Sequence, residues 1–287
     1  MTSPRSNEGA AYLLDKPPGL TSRKAAARVA GHWGWRKYGH AGTLDPDATG
    51  LLIVLLGKAT RLSRFLSSSG KTYSFGMELG IRTDTDDTSG SVLERSAVEG
   101  VSREDILKVL KRLTGTIHQR VPDYSAVRVD GTRAYAIARA GARPDTPVRR
   151  VTVEGWELKE WDGTRARLSV TVSSGTYVRA LARDIGNELG TGAAAFGIVR
   201  TAVDDFSLEE ASRDHEDARS LLTMAGVMRN YPSMTLADSD VEKVSHGTFL
   251  ESDREGVTAL LTPDGCLMAV AEGDGTIMRP VCVLVEG

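Results

Sequence analysis

The segment that most constrains this chain reads GHAGTLDPDATGLLIVLL and spans residues 39–56. Its first twelve residues contain three glycines and a proline without any apolar periodicity, which predicts a loop. Its last six residues are continuously apolar, which predicts a buried strand and is far too short to cross a bilayer. Loops held by buried strands commonly carry binding and catalytic groups, so this loop is the first candidate site.

The composition is that of a folded protein. The chain has 287 residues, of which 40% are hydrophobic and 26% charged, so a disordered chain is excluded. Cys266 and Cys282 are the only cysteines, and they offer no disulfide framework. The first ten residues are polar and contain no apolar signal segment. We therefore expect a cytoplasmic protein without membrane segments.

The remaining pattern mixes strands and helices. Predicted strands lie at residues 12–14, 51–56, 72–79, 151–158 and 165–173, and predicted helices at 23–33, 102–113 and from Gly175 onward. No regular alternation of strand and helix calls for a doubly wound parallel sheet. We predict an α+β fold with a mixed, largely antiparallel sheet flanked by helices.

The character of the chain changes near Asn230. Beyond it, short apolar runs at residues 257–261, 266–271 and 281–285 are separated by glycine-rich turns, which predicts a small β-rich domain. We therefore predict one domain over residues 1–229 and a second over 230–287. Residues 121–150 form a loop-rich insertion within the first domain.

The formal net charge of −2 conceals an uneven distribution. Residues 23–71 hold nine Lys/Arg against two Asp/Glu, and residues 103–150 hold eleven against five. Residues 204–287 hold six against seventeen. The two basic blocks permit a polyanion partner on the first half of the chain, although basic residues can equally form an ordinary solvated surface.

The sequence offers little support for metal or cofactor chemistry. The five histidines show no metal-ligand spacing; they are His32, His40, His118, His215 and His246. The GKAT stretch at residues 57–60 lacks the spacing of a phosphate-binding loop. We therefore predict neither a metal nor a cofactor.

Asp45 is the strongest catalytic candidate within the loop. Pro46 favours an extended conformation at Asp45 and so restricts the direction of its carboxylate. His40 and Thr43 add polar groups to the same loop. An aspartate in a glycine-rich loop is nevertheless most often a turn residue or helix cap, so the loop alone leaves both interpretations open.

Six sequence blocks together decide between these interpretations. In addition to the loop, they read LDKPPG (14–19), KTY (71–73), TDTDD (83–87), YSA (124–126), GTYVR (175–179) and RTAV (200–203). In this order the blocks resemble the TruB type of pseudouridine synthase, which modifies uridine 55 in the T loop of tRNA. The resemblance covers residues 12–207.

The resemblance implies three catalytic residues. Asp45 would be the nucleophile, Tyr73 would stack on the flipped uracil and take part in proton transfer, and Arg179 would pair with the Asp45 carboxylate. A base inside folded RNA must leave its stack before reaction, and stacking on an aromatic side chain offsets that cost.

The resemblance also implies four substrate-binding residues. His40 would occupy the space vacated by the flipped base, Tyr177 would line the pocket, and Ile198 would close its apolar side. Asp87 would support the pocket from behind. The isomerisation transfers nothing to another molecule, so the family needs no cofactor.

The implied protein is a monomeric isomerase whose partner is the T arm of tRNA. Its fold would be that of the pseudouridine synthases, with residues 121–150 gripping the RNA and a small C-terminal domain of the PUA-like type. One alternative is a non-catalytic RNA-binding factor or tRNA folding chaperone on the same scaffold. Another is a glycosidic hydrolase that uses Asp45 and Asp47.

Overall fold

The computed structural model describes residues 9–67 and 70–284. In chain order the described strands are β1 (Gly9–Lys16), β2 (Tyr38–Ala41), β3 (Thr49–Gly57), β4 (Lys71–Leu79), β5 (Ile81–Thr83), β6 (Val92–Arg95), β7 (Gly115–Arg120), β8 (Arg128–Val129), β9 (Thr132–Arg133), β10 (Val148–Trp161), β11 (Arg165–Val172), β12 (Ala193–Val203), β13 (Phe206–Ser207), β14 (Leu221–Thr223), β15 (Ser233–Thr235), β16 (Leu250–Glu251), β17 (Glu255–Leu261), β18 (Leu267–Asp274) and β19 (Ile277–Val283).

Among the described residues, helices are fewer than strands. They are α1 (Ser22–His32), α2 (Ser63–Ser67), α3 (Arg103–Arg112), α4 (Ala134–Arg139), α5 (Val178–Glu188), α6 (Met224–Val227) and α7 (Asp238–Ser245). No helix within residues 9–67 and 70–284 has the length and apolar composition that a membrane crossing requires. Most of the polar N-terminal segment predicted above, and Val285 of the last predicted strand, lie outside the described residues.

Backbone contacts divide the chain into two units. The first unit comprises the described part of residues 1–46, Gly50–Ser67 and the described part of 205–287. The second comprises Asp47–Thr49 and the described part of residues 68–204. The predicted domain bounds at residues 1–229 and 230–287 stay a prediction.

In the first unit, β1 lies between β3 and β14 and pairs antiparallel with both. Tyr12 stands opposite Val54 on one side and Leu221 on the other. Residues 51–56 are fully buried, which explains why β3 reads as a continuous apolar run rather than an alternating one. β2 pairs antiparallel with β3.

A five-stranded sheet forms the C-terminal part of the first unit. Its order is β15-β17-β18-β19-β16; β15 and β17 are parallel and the other pairs antiparallel. Leu260, Met268 and Val244 of α7 form part of its core. The Arg64 guanidinium donates to the Val281 carbonyl at 3.0 Å. The predicted small β-rich C-terminal domain is confirmed.

In the second unit, five strands pair antiparallel in the order β12-β4-β11-β10-β7. Alternate residues of β11 are buried, as its pattern predicts; they are Ala166, Leu168, Val170 and Val172. Leu181 and Ile185 of α5 are also fully buried. With the helices of both units, this arrangement confirms the predicted α+β fold with largely antiparallel pairing.

Local predictions fail where pairing or capping overrides the pattern. Residues 39–41, predicted as loop, form most of β2 because their backbone pairs with β3. The helix predicted from Gly175 begins only at Val178, since Gly175 has a positive φ of 82°. β12 was not predicted because its alanines and glycine show no alternation. The loop-rich insertion contains a hairpin, β8-β9, and α4.

Close packing in the second unit leaves no room for a side chain at one helical glycine. A Cβ on Gly186 of α5 would lie 2.2 Å from the Ala193 nitrogen and 2.4 Å from the Gly192 carbonyl carbon. A glycine-to-alanine change inside a helix normally stabilises it by about 1 kcal/mol. At residue 186 we expect the reverse, a loss of about 1–3 kcal/mol or more of unfolding free energy, because backbone atoms must move. Urea unfolding of Gly186→Ala measures this loss.

Gly31→Ala in α1 is the matched control. No atom lies within 4 Å of a Cβ built at residue 31, so this variant keeps or gains up to about 1 kcal/mol. Equal effects of the two substitutions would contradict the close contact between α5 and β12.

Candidate active site

Asp45 lies on the loop between β2 and β3 in the first unit. Leu44 and Ala48 are buried with 4% and 5% of their surface exposed, whereas Asp45 itself is exposed. Buried residues therefore lie on both sides of the exposed carboxylate. Two side chains outside the loop, those of Ser22 and Lys16, hold its backbone in place.

Ser22 holds the residue before Asp45. The fully buried Ser22 hydroxyl accepts a hydrogen bond from the Leu44 amide at 2.8 Å and donates to the Leu44 carbonyl at 3.0 Å. Ser22 is the first residue of α1, and the Thr21 side chain caps that helix by accepting from the Lys24 amide at 3.2 Å. The start of α1 therefore fixes the loop position of Leu44.

Lys16 holds the residue after Asp45. Its fully buried ammonium donates to the carbonyls of Pro46 at 2.9 Å, Leu20 at 2.8 Å and Pro17 at 2.9 Å. The Gly19 amide also donates to the Pro46 carbonyl, at 2.9 Å. A buried charge is tolerated only where several acceptors solvate it. The turn after β1 is therefore built around the loop that carries Asp45.

His40 occupies the strand that leads into this loop. It lies on β2 opposite Val54 of β3 and is half-buried. The sheet register therefore fixes the backbone of His40 five residues before Asp45.

In the second unit, Arg179 is buried and firmly held. Its guanidinium donates to the carbonyls of Thr85 and of Tyr124, the latter at 3.1 Å. Its Nε lies 3.5 Å from a carboxylate oxygen of Asp87. Arg179 belongs to the first turn of α5, so these partners fix the guanidinium relative to that helix.

Asp87 is itself fixed by the turn that carries it. Its Oδ1 accepts from the Thr85 hydroxyl at 2.8 Å, the Ser89 hydroxyl at 2.6 Å and the Ser89 amide at 3.0 Å. The Thr83 hydroxyl donates to the Asp87 carbonyl at 2.7 Å. Hydrogen bonds to an ionised carboxylate are strong, so this turn is a rigid support for Arg179.

Tyr177 stands at the N-terminus of α5. The buried Gln119 side chain accepts from the Tyr177 amide at 2.8 Å and donates to the Tyr177 carbonyl at 3.2 Å. An amide side chain thus supplies both hydrogen bonds that a neighbouring strand would supply. This clamp sets the position where the helix begins, two residues before Arg179.

Tyr73 and Ile198 lie on paired strands. Tyr73 of β4 is 7% exposed and stands opposite Val170 of β11 and Arg200 of β12. Ile198 is half-buried within an irregular stretch of β12, where the register shifts between Phe196 and Val199. Two residues before Tyr73, burial and then the charge of Arg200 lower the pKa of Lys71 to about 8.

A second ion-pair cluster lies one helical turn beyond Arg179. Arg183 donates to Asp86 at 2.9 Å, to Asp184 at 2.9 Å and to the Arg120 carbonyl at 2.9 Å. Burial raises the pKa of Asp86 to about 6, although Arg183 opposes the shift. Asp86 has a positive φ of 62° and lies between Thr85 and Asp87, which both contact Arg179. Arg183 therefore also holds the turn that contains Asp86 and Asp87.

Residues 31–178 match the family described as "TruB family pseudouridylate synthase (N terminal domain)". Residues 231–285 match "tRNA Pseudouridine synthase II, C terminal". The chain belongs to the TruB family.

Curated relatives in the TruB family match along nearly the whole chain. A protein of Thermobifida fusca named "tRNA pseudouridine synthase B" is 39% identical, with 94% of this chain and 97% of the relative covered. A protein of the same name from Corynebacterium glutamicum is 36% identical, covering 99% and 98%. A Bacillus cereus protein of that name is 36% identical, covering 96% of each.

Two solved structures share the fold of this chain. A chain in the structure of an H/ACA ribonucleoprotein bound to a substrate RNA containing 2'-deoxyuridine matches with a TM-score of 0.73 and 25% identity, covering 96% of this chain and 85% of that one. A chain of a Cbf5-Nop10-Gar1 complex matches with a TM-score of 0.74 and 25% identity, covering 100% and 88%.

The structure distributes the residues expected from the TruB resemblance over the two units. Asp45 and His40 belong to the first unit; Tyr73, Asp87, Tyr177, Arg179 and Ile198 belong to the second. Of these, Arg179 and Asp87 are brought together directly. The catalytic and binding roles of all seven stay predictions.

The residues that hold the candidate site in place have no recognisable role in the sequence alone. Lys16 lies within the LDKPPG block, and Ser22 lies directly before the helix predicted at residues 23–33. Both act through backbone carbonyls and amides, which leave no signature in a sequence. Gln119 also acts on backbone groups, whereas Asp86 and Arg183 form a side-chain ion pair between residues 97 apart in the sequence. Only the motif blocks that contain Lys16 and Asp86 could have drawn attention to these residues.

Ser22→Ala tests whether the start of α1 positions the Asp45 loop. The substitution leaves the buried Leu44 amide without its hydroxyl acceptor, so we expect a loss of about 1–3 kcal/mol of unfolding free energy. Because the loop then samples other positions, the catalytic rate with RNA should fall more than RNA affinity. Urea unfolding and single-turnover kinetics measure the two effects.

Thr21→Ala is the neighbouring control. It removes the α1 cap and costs about 1 kcal/mol, but it leaves both Leu44 hydrogen bonds in place. Equal rates for the two variants would refute a positioning role for Ser22.

Asp86→Asn tests the pKa of the buried carboxyl. A folded-state pKa of about 6 exceeds the ordinary 3.8, so the folded protein binds more protons and stability falls as pH rises between these values. The native unfolding free energy should therefore decline relative to the variant by up to about 3 kcal/mol as pH rises through 6. Asparagine tolerates the positive φ at this position.

Urea unfolding at several pH values between about 4 and 8 measures that difference. If the native protein instead gained stability over the variant with rising pH, the Arg183 charge would outweigh burial at Asp86.

Proposed function

We propose that this chain isomerises uridine 55 in the T loop of tRNA to pseudouridine, with Asp45 as its catalytic residue. Membership of the TruB family supports the reaction class, and relatives named "tRNA pseudouridine synthase B" support tRNA as the substrate. The observation that carries the assignment of Asp45 is its anchoring: buried Ser22 and Lys16 hold the residues on either side of an exposed carboxylate.

The proposed isomerisation can be carried out by protein side chains alone. The C1'–N1 glycosidic bond breaks, the uracil turns over, and a C1'–C5 bond forms. C5 then loses its proton to solvent and N1 gains one, so atoms and electrons balance without a co-reactant. A firmly held carboxylate can serve as covalent catalyst or as base in such a sequence.

Arg179 fits the role of partner to this carboxylate. Its guanidinium is fixed by Thr85, Tyr124 and Asp87, so it can present charge without reorganising during the reaction. In the proposed reaction Arg179 would pair with the Asp45 carboxylate, as the family resemblance implies, while Asp87 positions Arg179.

The remaining residues fit recognition of a flipped base. Extruding the uridine costs a few kcal/mol, and stacking on an aromatic ring returns about 1–3 kcal/mol. Tyr73 would provide that ring, and Tyr177 and Ile198 would form the walls of the pocket. His40 would occupy the space that the flipped base leaves in the RNA stack. Their fixed strand and helix-cap positions support this division of roles.

The insertion at residues 121–150 fits the RNA grip of the proposed enzyme. It carries exposed arginines, which are Arg128, Arg133, Arg139, Arg143, Arg149 and Arg150. Phosphate contacts of this kind orient an RNA without reading its sequence, so the folded T arm would be recognised by shape. The enzyme acts as a monomer in the cytoplasm in this proposal.

Tritium release tests the proposal and the nucleophile together. The substrate is a T-arm RNA tritiated at C5 of uridine 55, incubated with EDTA and no cofactor. We expect stoichiometric release by the native protein and a loss of at least about 10³-fold in Asp45→Asn, because no other group replaces the carboxylate. Filter binding shows whether the variant still binds the RNA.

Asp47→Asn is the control, since it removes a carboxylate from the same loop. It should keep its release activity. Tight RNA binding without release by the native protein would leave a non-catalytic RNA-binding factor or chaperone. Equal loss in both variants would undermine Asp45 as the specific catalyst, and free uracil in the products would indicate a hydrolase.

A further inference from the structure

Three side chains of types that can ligate a metal ion meet in the first unit outside the candidate active site. His32 is the last residue of α1, and His215 and Glu216 lie in the segment between β13 and β14. The two histidines are 183 residues apart in the sequence, so their spacing does not predict that they meet. The fold brings them together.

The geometry of this cluster suits a single ion. His32 Nδ1 lies 3.3 Å and His215 Nε2 3.8 Å from the same carboxylate oxygen of Glu216, and all three atoms lie within 4.8 Å of one another. A tetrahedral zinc ion with bonds of about 2.0–2.2 Å separates its ligand atoms by about 3.3–3.5 Å. Small side-chain rotations therefore suffice to place all three atoms around one ion.

Neighbouring aromatic residues hold two of the three ligands in place. The Trp33 indole donates to the His215 carbonyl at 3.0 Å, and the Tyr12 hydroxyl donates to the Asp214 carbonyl. The His32 ring contacts Trp33 edge-on at 5.2 Å and His215 edge-on at 5.6 Å between ring centroids. A site in which part of the ligand set is already held needs less ordering when an ion binds.

The segment that carries His215 and Glu216 is also fastened to β1. The amide of Ser212 donates to the Leu13 carbonyl at 3.1 Å, and the Asp15 amide donates to the Ser212 carbonyl at 3.0 Å. Arg213 pairs with the Asp15 carboxylate at 2.7 Å. The ligands therefore sit on backbone that is held in register with the central strand.

We infer that His32, His215 and Glu216 form a binding site for one divalent transition-metal ion such as Zn²⁺ or Co²⁺. Two imidazoles and one carboxylate favour these ions over Mg²⁺ and Ca²⁺, which prefer sites built wholly of oxygen. Three protein ligands leave a coordination position for water.

The bound ion would stabilise the scaffold rather than take part in the isomerisation. It ties the C-terminal end of α1 to the segment on β1, while Ser22 at the other end of α1 holds the Asp45 loop. A ligand that binds only the folded state raises stability in proportion to the logarithm of its concentration over Kd. The ion would thus lock the helix that positions the loop.

Metal titration of the full-length, EDTA-stripped protein tests the site. We expect Co²⁺ to bind with one equivalent and to give visible absorption bands, and Zn²⁺ to displace it and raise the midpoint of thermal unfolding. His32→Ala/His215→Ala should lose this equivalent and the thermal shift. Glu216→Gln, at an exposed side chain, should fold normally and bind on the order of tenfold more weakly.

His118→Ala/His246→Ala is the matched control, because it removes two exposed histidines elsewhere. It should bind as the native protein does. If the native protein bound no Co²⁺, the cluster would be only a histidine–glutamate ion pair and the inference would fail. Unchanged binding in His32→Ala/His215→Ala would place the ion at another group, such as the exposed Cys266 thiol, and would equally overturn it.

Discussion

The buried ammonium of Lys16 is the interaction around which the first unit is organised. Its hydrogen bonds to the carbonyls of Pro17, Leu20 and Pro46 solvate a charge that is wholly removed from water. The turn after β1 and the loop before β3 must therefore keep their shapes together, since losing any acceptor leaves a buried charge poorly solvated. The position of Asp45 therefore depends on this constraint.

Arg179 in the second unit is fixed in a comparable way. Carbonyls and one carboxylate hold Arg179, and a turn of short hydroxyl-bearing residues holds that carboxylate. Gln119 sets the start of the helix that carries the arginine. In both units the residue proposed to act on RNA is positioned through backbone groups, so catalytic geometry depends on local folding more than on pairwise side-chain contacts.

Sequence patterns predicted the elements whose burial is periodic or continuous. The apolar run of β3 and the alternation of β11 anticipated their strands because hydrophobic burial leaves a direct record in residue type. β2 and β12 escaped prediction because hydrogen bonding to neighbouring strands, rather than composition, makes them strands. The start of α5 was misplaced by three residues because Gly175 takes a positive φ and Gln119, 58 residues away in the sequence, clamps Tyr177 just before the helix.

The sequence by itself determined the α+β class, the β-rich C-terminal domain, the family and the seven candidate site residues, because ordered motifs and apolar periodicity depend on residue type alone. Only the tertiary structure decided which groups hold the site, such as Ser22 on Leu44 and Arg183 on Asp86. It also decided that His32 meets His215. Such contacts join positions far apart in the chain or act through backbone atoms common to every residue, so no local pattern encodes them.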